Sequence, residues 1–186
     1  YSQKAVERTY NSFAQLTALK YTNIRLVERP DTALLDCYII YERNRRRSVG
    51  FEIEGTNTAG NFGAAASVTF SDKNLFRGSE LLSLRLFGVY EAVSDLRGYT
   101  GDKYNEYGAE LSLRLLGGLA SSFVPVEERM LTSSTLFSLK FNIQERPEFE
   151  RRILSGSWSY MWSKRSESQH KLDILDLNYI YVPWIH

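Results

Sequence analysis

Few side chains in this 186-residue sequence can carry covalent or metal chemistry, and their spacing gives them no site. There are two histidines, His170 and His186, both near the carboxyl end, and one cysteine, Cys37, far upstream. That arrangement offers no metal-ligand spacing, and a single cysteine cannot form an internal disulfide. No serine stands in a nucleophile elbow, and no glycine-rich loop precedes a helix whose N–H groups could cradle a phosphate. The glycines of GTNTAGNFG, from Gly55 to Gly63, lie between two strand-like runs, so a dinucleotide loop is not expected. Glu52 and Glu54 share one face of a strand and read as solvated lining rather than as an acid/base pair. The expectation is a protein that is not an enzyme and uses no metal or cofactor.

The stretch from Val49 to Glu80 organises the chain. Val49, Phe51 and Ile53 alternate with Gly50, Glu52 and Glu54, which predicts a strand with one apolar and one charged face. After a polar turn, Phe62, Ala64, Ala66, Val68 and Phe70 alternate with Gly63, Ala65, Ser67 and Thr69. A second turn contains Asn74, Leu75, Phe76, Arg77, Gly78 and Glu80, with Gly78 expected to supply the permissive backbone. The whole reads as a hairpin with a continuous apolar face.

Before it, Tyr1 to Lys20 has a helical stripe of Val6, Tyr10, Phe13, Leu16 and Leu19. Ile24 and Leu26 mark a short strand, Glu28 to Thr32 a turn, and Leu35 to Tyr41 a longer strand. This α+β unit of ~45 residues is small for an independent core. Glu42 to Ser48 forms the boundary. Arg43, Arg45, Arg46 and Arg47 read there as a solvated linker, the other reading being a basic collar near lipid head groups.

After Val49 almost everything alternates. Segments centred on Leu82–Phe87, Leu111–Leu115, Phe137–Ile143 and Leu154–Trp162 follow, with a less regular one at Leu172–Val182. Between them lie a loop at Ser94–Asn105, a long connection at Gly117–Leu131 and a turn at Arg146–Glu150. That makes about six segments of ~9–12 residues, the length a tilted strand needs to cross a hydrocarbon layer. The fold class is mainly β. A soluble sandwich and a membrane barrel both satisfy the periodicity, because the apolar face can meet a core or lipid. Large aliphatic residues across the whole stripe, with Trp158, Tyr160 and Trp162 near a strand end, tilt the reading toward the barrel. Aromatic residues are 13% of the chain, which suits both strands and membrane girdles. The net charge of +1 gives no general attraction to nucleic acid, which is not an expected partner. No apolar run approaches the ~18 residues of a spanning helix. No signal-peptide pattern is visible at Tyr1.

At Val49 to Ala92 the sequence resembles a family. GTNTAGNFG followed by NLFRGSELLSLRLFGVYEA is similar to the first barrel strands of the BamA/TamA superfamily of outer-membrane insertases, in its Bacteroidetes-type form and nearest its TamA-like lipoprotein branch. The preceding helix–strand–strand resembles the second half of a POTRA domain. QERPEFERR and the Ser-Trp-Ser-Tyr-Met-Trp strand resemble later barrel strands. The resemblance implies residues 1–47 as the C-terminal part of the last POTRA domain and residues 48–186 as the first strands of a transmembrane antiparallel β-barrel. It implies an outer-membrane assembly factor whose first strand, Val49 to Thr56, is a lateral gate templating client strands. Its partners would be unfolded outer-membrane clients, the lipid bilayer and periplasmic or lipoprotein accessory subunits. Gly50 and Gly55 would weaken gate pairing, although glycines there also fit ordinary packing or turn geometry. Arg77 and Glu80 would touch the POTRA module from a periplasmic turn. The family's late Arg-Gly loop motif and its closing strand are not in the sequence, and family barrels have about sixteen strands, so the chain reads as a fragment. A passive pore and a soluble β-sandwich binding module are the rival readings.

Overall fold

The computed structural model describes residues 2–30, 34–58, 61–92, 103–117, 132–146, 149–164 and 168–185. The expected loops at Ser94–Asn105 and Gly117–Leu131, the centres of the Glu28–Thr32 and Arg146–Glu150 turns, and His186 lie wholly or largely outside them. Among the described residues the chain is mainly β, with one helix and nine antiparallel strands in two sheets.

The helix α1 spans Gln3–Ala14 and packs on β1, Leu19–Glu28, which pairs with β2, Leu35–Arg43. The helix predicted to reach Lys20 therefore stops earlier. Leu16 N–H bonds to Phe13 C=O and Leu19 N–H to Leu16 C=O, closing two tight turns. The next ten residues, LKYTNIRLVE, are rich in β-branched and aromatic types that suit a strand. Lys20 lies in that strand and pairs with Glu42 at 2.9 Å.

The second sheet is a meander of seven strands in chain order. They are β3 Arg47–Thr58, β4 Asn61–Asp72, β5 Leu81–Ala92, β6 Lys103–Leu116, β7 Thr132–Glu145, β8 Phe149–Lys164 and β9 Ser168–Ile185. One more strand is present than the approximate six expected, and lengths rise from 12 to 18 residues. The least regular segment proves to be the longest strand. Trp158 faces Leu175 and Tyr160 faces Leu172, so between them Ser159 alone on β8 lies opposite two residues, Asp173 and Ile174, on β9. That bulge shifts the side-chain alternation and hides the strand from a period-two reading.

Register places every row of side chains. One row runs Val49, Phe70, Leu84, Leu111, Leu139, Gly156, Leu177 across all seven strands. The next runs Phe51, Val68, Leu86, Ala109, Phe141, Leu154, Tyr179. Neither row is covered, since no described element packs across this face. Phe51 stays 77% exposed and Ile53 85%, and Tyr160 is the one buried apolar side chain among the described residues. The sheet is a single layer without a hydrophobic core of its own.

Thr135 is an exception on the apolar side. It is 1% exposed, between Leu115 and Tyr160, and its Oγ1 has no hydrogen-bond partner among the described residues. A buried hydroxyl without a partner costs its desolvation, so Thr135→Val should stabilise the protein by about 1 kcal/mol. Thermal unfolding reads this as a raised midpoint. A lowered midpoint would mean that the hydroxyl is bonded.

Candidate functional site

The predicted gate residues Val49, Gly50, Phe51, Glu52, Ile53, Glu54, Gly55 and Thr56 all lie on β3, an edge strand. One side of β3 pairs with β4 in unbroken register from Arg47 opposite Asp72, and the other side has no partner strand among the described residues. Val49, Phe51 and Ile53 project on the apolar face, and Gly50, Glu52, Glu54 and Thr56 on the polar one. Glu52 accepts a hydrogen bond from Ser67 Oγ at 3.2 Å and lies 3.6 Å from Arg85 Nη2. Glu54 stands opposite Ala65 and has no polar partner among the described residues.

The two gate glycines have no steric duty. A Cβ at Gly50 would come no closer than 4.0 Å, to Thr69 O, and one at Gly55 would meet nothing. Neither adopts the left-handed backbone that favours glycine. Gly63 and Gly108 differ. A Cβ at Gly63 would approach the Tyr90 carbonyl oxygen at 2.6 Å, and one at Gly108 the Phe87 ring at 2.8 Å. Packing therefore accounts for Gly63 and Gly108, while Gly50 and Gly55 only lower the strand propensity of β3.

The turn from β4 to β5 corrects two expectations. The left-handed residues are Arg77, φ 70°, and Ser79, φ 62°, not Gly78. Gly78 matters because a side chain there would collide with the Glu80 carboxylate. That carboxylate accepts the N–H groups of Phe76 at 3.0 Å and Gly78 at 3.1 Å, and Asn74 Oδ1 accepts Ser79 N–H at 3.0 Å. Leu75 is half-buried, and Phe76 and Arg77 are exposed. Glu80 thus turns onto its own loop, and the N-terminal unit is held by the backbone of the same turn. Thr17 Oγ1 lies 2.9 Å from Lys73 O and 2.6 Å from Ser79 O, so one hydroxyl hydrogen serves both carbonyls.

Glu80 also gives the turn a pH dependence. Burial raises its pKa, but the N–H groups of Glu80, Phe76 and Gly78 outweigh this and hold the carboxyl below its ordinary 4.5. A depressed folded-state pKa contributes stability above the unfolded value and loses it as pH falls through the folded one. The turn should therefore loosen below about pH 4, seen as faster amide exchange at Phe76 and Gly78. Glu80→Gln should lack this step. The same acid dependence in that variant would assign it to another group.

The arginine run is neither a linker nor a collar throughout. Arg46 and Arg47 pair with Asp72 at 3.2 and 3.1 Å, and the Asp72 side chain is 4% exposed. Asn44 N–H bonds to Ala18 C=O and Lys73 N–H to Arg46 C=O, so the boundary is a pinned joint. Asp72 went unremarked in the sequence because its partners are 25 and 26 positions away. The base of β3 is firm, and its two glycines lie beyond it.

The polar face holds a second pattern that only register reveals. Ser48, Ser71, Ser83, Ser112, Ser138 and Ser157 form one row across β3 to β8, which ends at Asp176 on β9. In the adjacent row Arg85, Glu110 and Lys140 alternate in sign, and Arg85 and Lys140 lie over the Phe87 ring at 5.8 and 5.6 Å. At the end near the N-terminal unit, a cleft of about 750 Å³ joins Gln15 and Thr17 to Arg114, Trp162, His170 and Lys171. The His170 ring stacks on Trp162 at 5.2 Å. Among the described residues no group of three His, Cys, Asp or Glu side chains is placed to hold a metal. No protein-family model, curated protein or solved structure matches the chain.

Proposed function

We propose that this chain is the N-terminal part of an outer-membrane β-barrel of the BamA/TamA type, and that β3 is the strand that receives strands of unfolded outer-membrane clients. One observation carries the reading. A single-layer antiparallel sheet exposes rows of Leu, Phe, Val and Ile on one face and rows of Ser, Glu, Arg and Lys on the other. In water such an uncovered apolar face is costly, at roughly 25 cal/mol per Å². Lipid on that face and water on the other remove the cost. A sandwich would instead need a second sheet over the apolar rows.

Strands of 12 residues or more are long enough to cross. Along β8 and β9 Trp162 lies toward one end of the apolar rows and Tyr181 toward the other, where interfacial girdles would sit. Lipid cannot satisfy the free edges of β3 and β9, so in the membrane both edges pair with further strands. A strand in that position on β3 has a weak hold, because Gly50 and Gly55 lower its pairing stability without packing in return. Exchange for a client strand then needs only backbone hydrogen bonds, which serves many client sequences. The α1–β1–β2 unit, fastened beside the β4–β5 turn, would be the end of the periplasmic POTRA module that hands clients over.

The test places single cysteines from Val49 to Thr56 in the protein as it occurs in membranes. They should crosslink to a cysteine in the terminal strand of a client during its assembly. Crosslinks found only at other strands would leave a passive barrel and remove the gate.

A further inference from the structure

We infer that β3 selects the incoming strand by charge, taking one whose residues opposite Glu52 and Glu54 are lysine or arginine and whose intervening residues are large and apolar. The inference rests on the strand-receiving role proposed for β3 and adds the class of sequence received. A strand added to an edge places its side chains in the same two faces as its neighbour's, whichever direction it runs. Its residues beside Val49, Phe51 and Ile53 enter the apolar face, where Phe51 is 77% and Ile53 85% exposed. Its residues on the other face come beside Glu52 and Glu54.

Those two carboxylates have less to neutralise them than Glu110 and Glu106 on the same face. Glu110, on β6, is flanked in its row by Arg85 and Lys140. Glu106, also on β6, accepts Asn142 Nδ2 at 2.7 Å and the Tyr104 hydroxyl. By contrast Glu54 faces Ala65, and its polar side is open toward the free edge. Glu52 has Ser67 at 3.2 Å and Arg85 at 3.6 Å, both on one side. One uncompensated and one partly compensated negative charge, two residues apart, repel an acidic strand and attract a basic one. Cross-strand opposite charges are favourable and like charges are unfavourable, by similar amounts. With two such positions the discrimination multiplies. A lysine strand should be preferred over its glutamate counterpart by about tenfold at low salt, and by less as salt screens the pair.

The experiment uses the membrane-embedded protein carrying Ile53→Cys, with the exposed native thiol removed by Cys37→Ser, and two synthetic nine-residue peptides with a central cysteine. Both alternate Leu or Phe with a charged residue, lysine in one and glutamate in the other. Disulfide capture is read at equal peptide concentration. The expected result is about tenfold more lysine-peptide capture, lost in Glu52→Gln/Glu54→Gln and reversed in Glu52→Lys/Glu54→Lys. The glutamine variant, which keeps shape, guards against misfolding of the lysine one. Equal capture of both peptides by the unaltered charges would overturn the charge selection while leaving strand addition intact. Capture of neither peptide at position 53, with capture at cysteines on other strands, would overturn both.

Discussion

Leu111→Arg should nearly abolish the folded, membrane-inserted protein, whereas Ser112→Arg should be tolerated. Leu111 lies between Leu84 and Leu139 in the central apolar row and is 41% exposed, so a long side chain there meets no protein atoms in its way. If that face met water, arginine would be at home and the substitution near neutral. If it meets hydrocarbon near the middle of the layer, the cost is about 2–4 kcal/mol. Ser112, one residue on, belongs to the serine row of the polar face, where a cation stays hydrated. The two variants differ by one position and have opposite expectations. The fraction of protein in the folded, heat-modifiable band after extraction from membranes measures both. Equal folding of the two would place Leu111 in water.

Gly108→Val should be the most damaging change on the polar face. The new Cβ would run into the Phe141 carbonyl oxygen and lie 2.8 Å from Phe87 Cζ and 2.9 Å from Asn142 Cβ. The Phe87 ring could rotate, but the Phe141 carbonyl belongs to the β7 backbone beside β6 and cannot leave without breaking the pairing. Overpacking against a fixed backbone costs about 3 kcal/mol, so a lowered unfolding midpoint and protease cleavage near β6 are expected. Gly55→Val is the contrasting case, with nothing within 4 Å of its Cβ. There a β-branched residue should tighten pairing at β3 by about 0.5–1 kcal/mol and, on the proposed strand-receiving role, slow the replacement of its neighbour by a client strand. Unchanged stability in Gly108→Val would mean that β6 and β7 are further apart than the described register places them.

Alternation made the strands legible. Leu82, Leu84 and Leu86 against Ser83, Arg85 and Phe87 is a local signal, and both the strand and its two faces follow from it. The last strand was obscured because the bulge opposite Trp158 breaks the alternation locally. Helix length was overestimated because Leu16 and Leu19 continue the helical spacing of α1 although they pack in a turn and a strand. What needed the structure was register. The serine row and the Asp72 joint unite residues far apart in sequence, and only the hydrogen-bonded ladder fixes which of them meet. Gly78 shows the converse limit. A glycine in a turn invites a conformational explanation, yet the strained positions are its neighbours Arg77 and Ser79.

The claim on which the rest depends is that the two faces of one sheet meet lipid and water. Spin labels placed singly from Leu82 to Phe87 in the membrane-embedded protein test it most directly, read by collision with oxygen and with a water-soluble nickel complex. Labels at 82, 84 and 86 should collide mainly with oxygen and those at 83, 85 and 87 mainly with nickel, in strict alternation. Labels at 82, 84 and 86 that are shielded from both reagents would show that protein covers the apolar face, and would contradict the account.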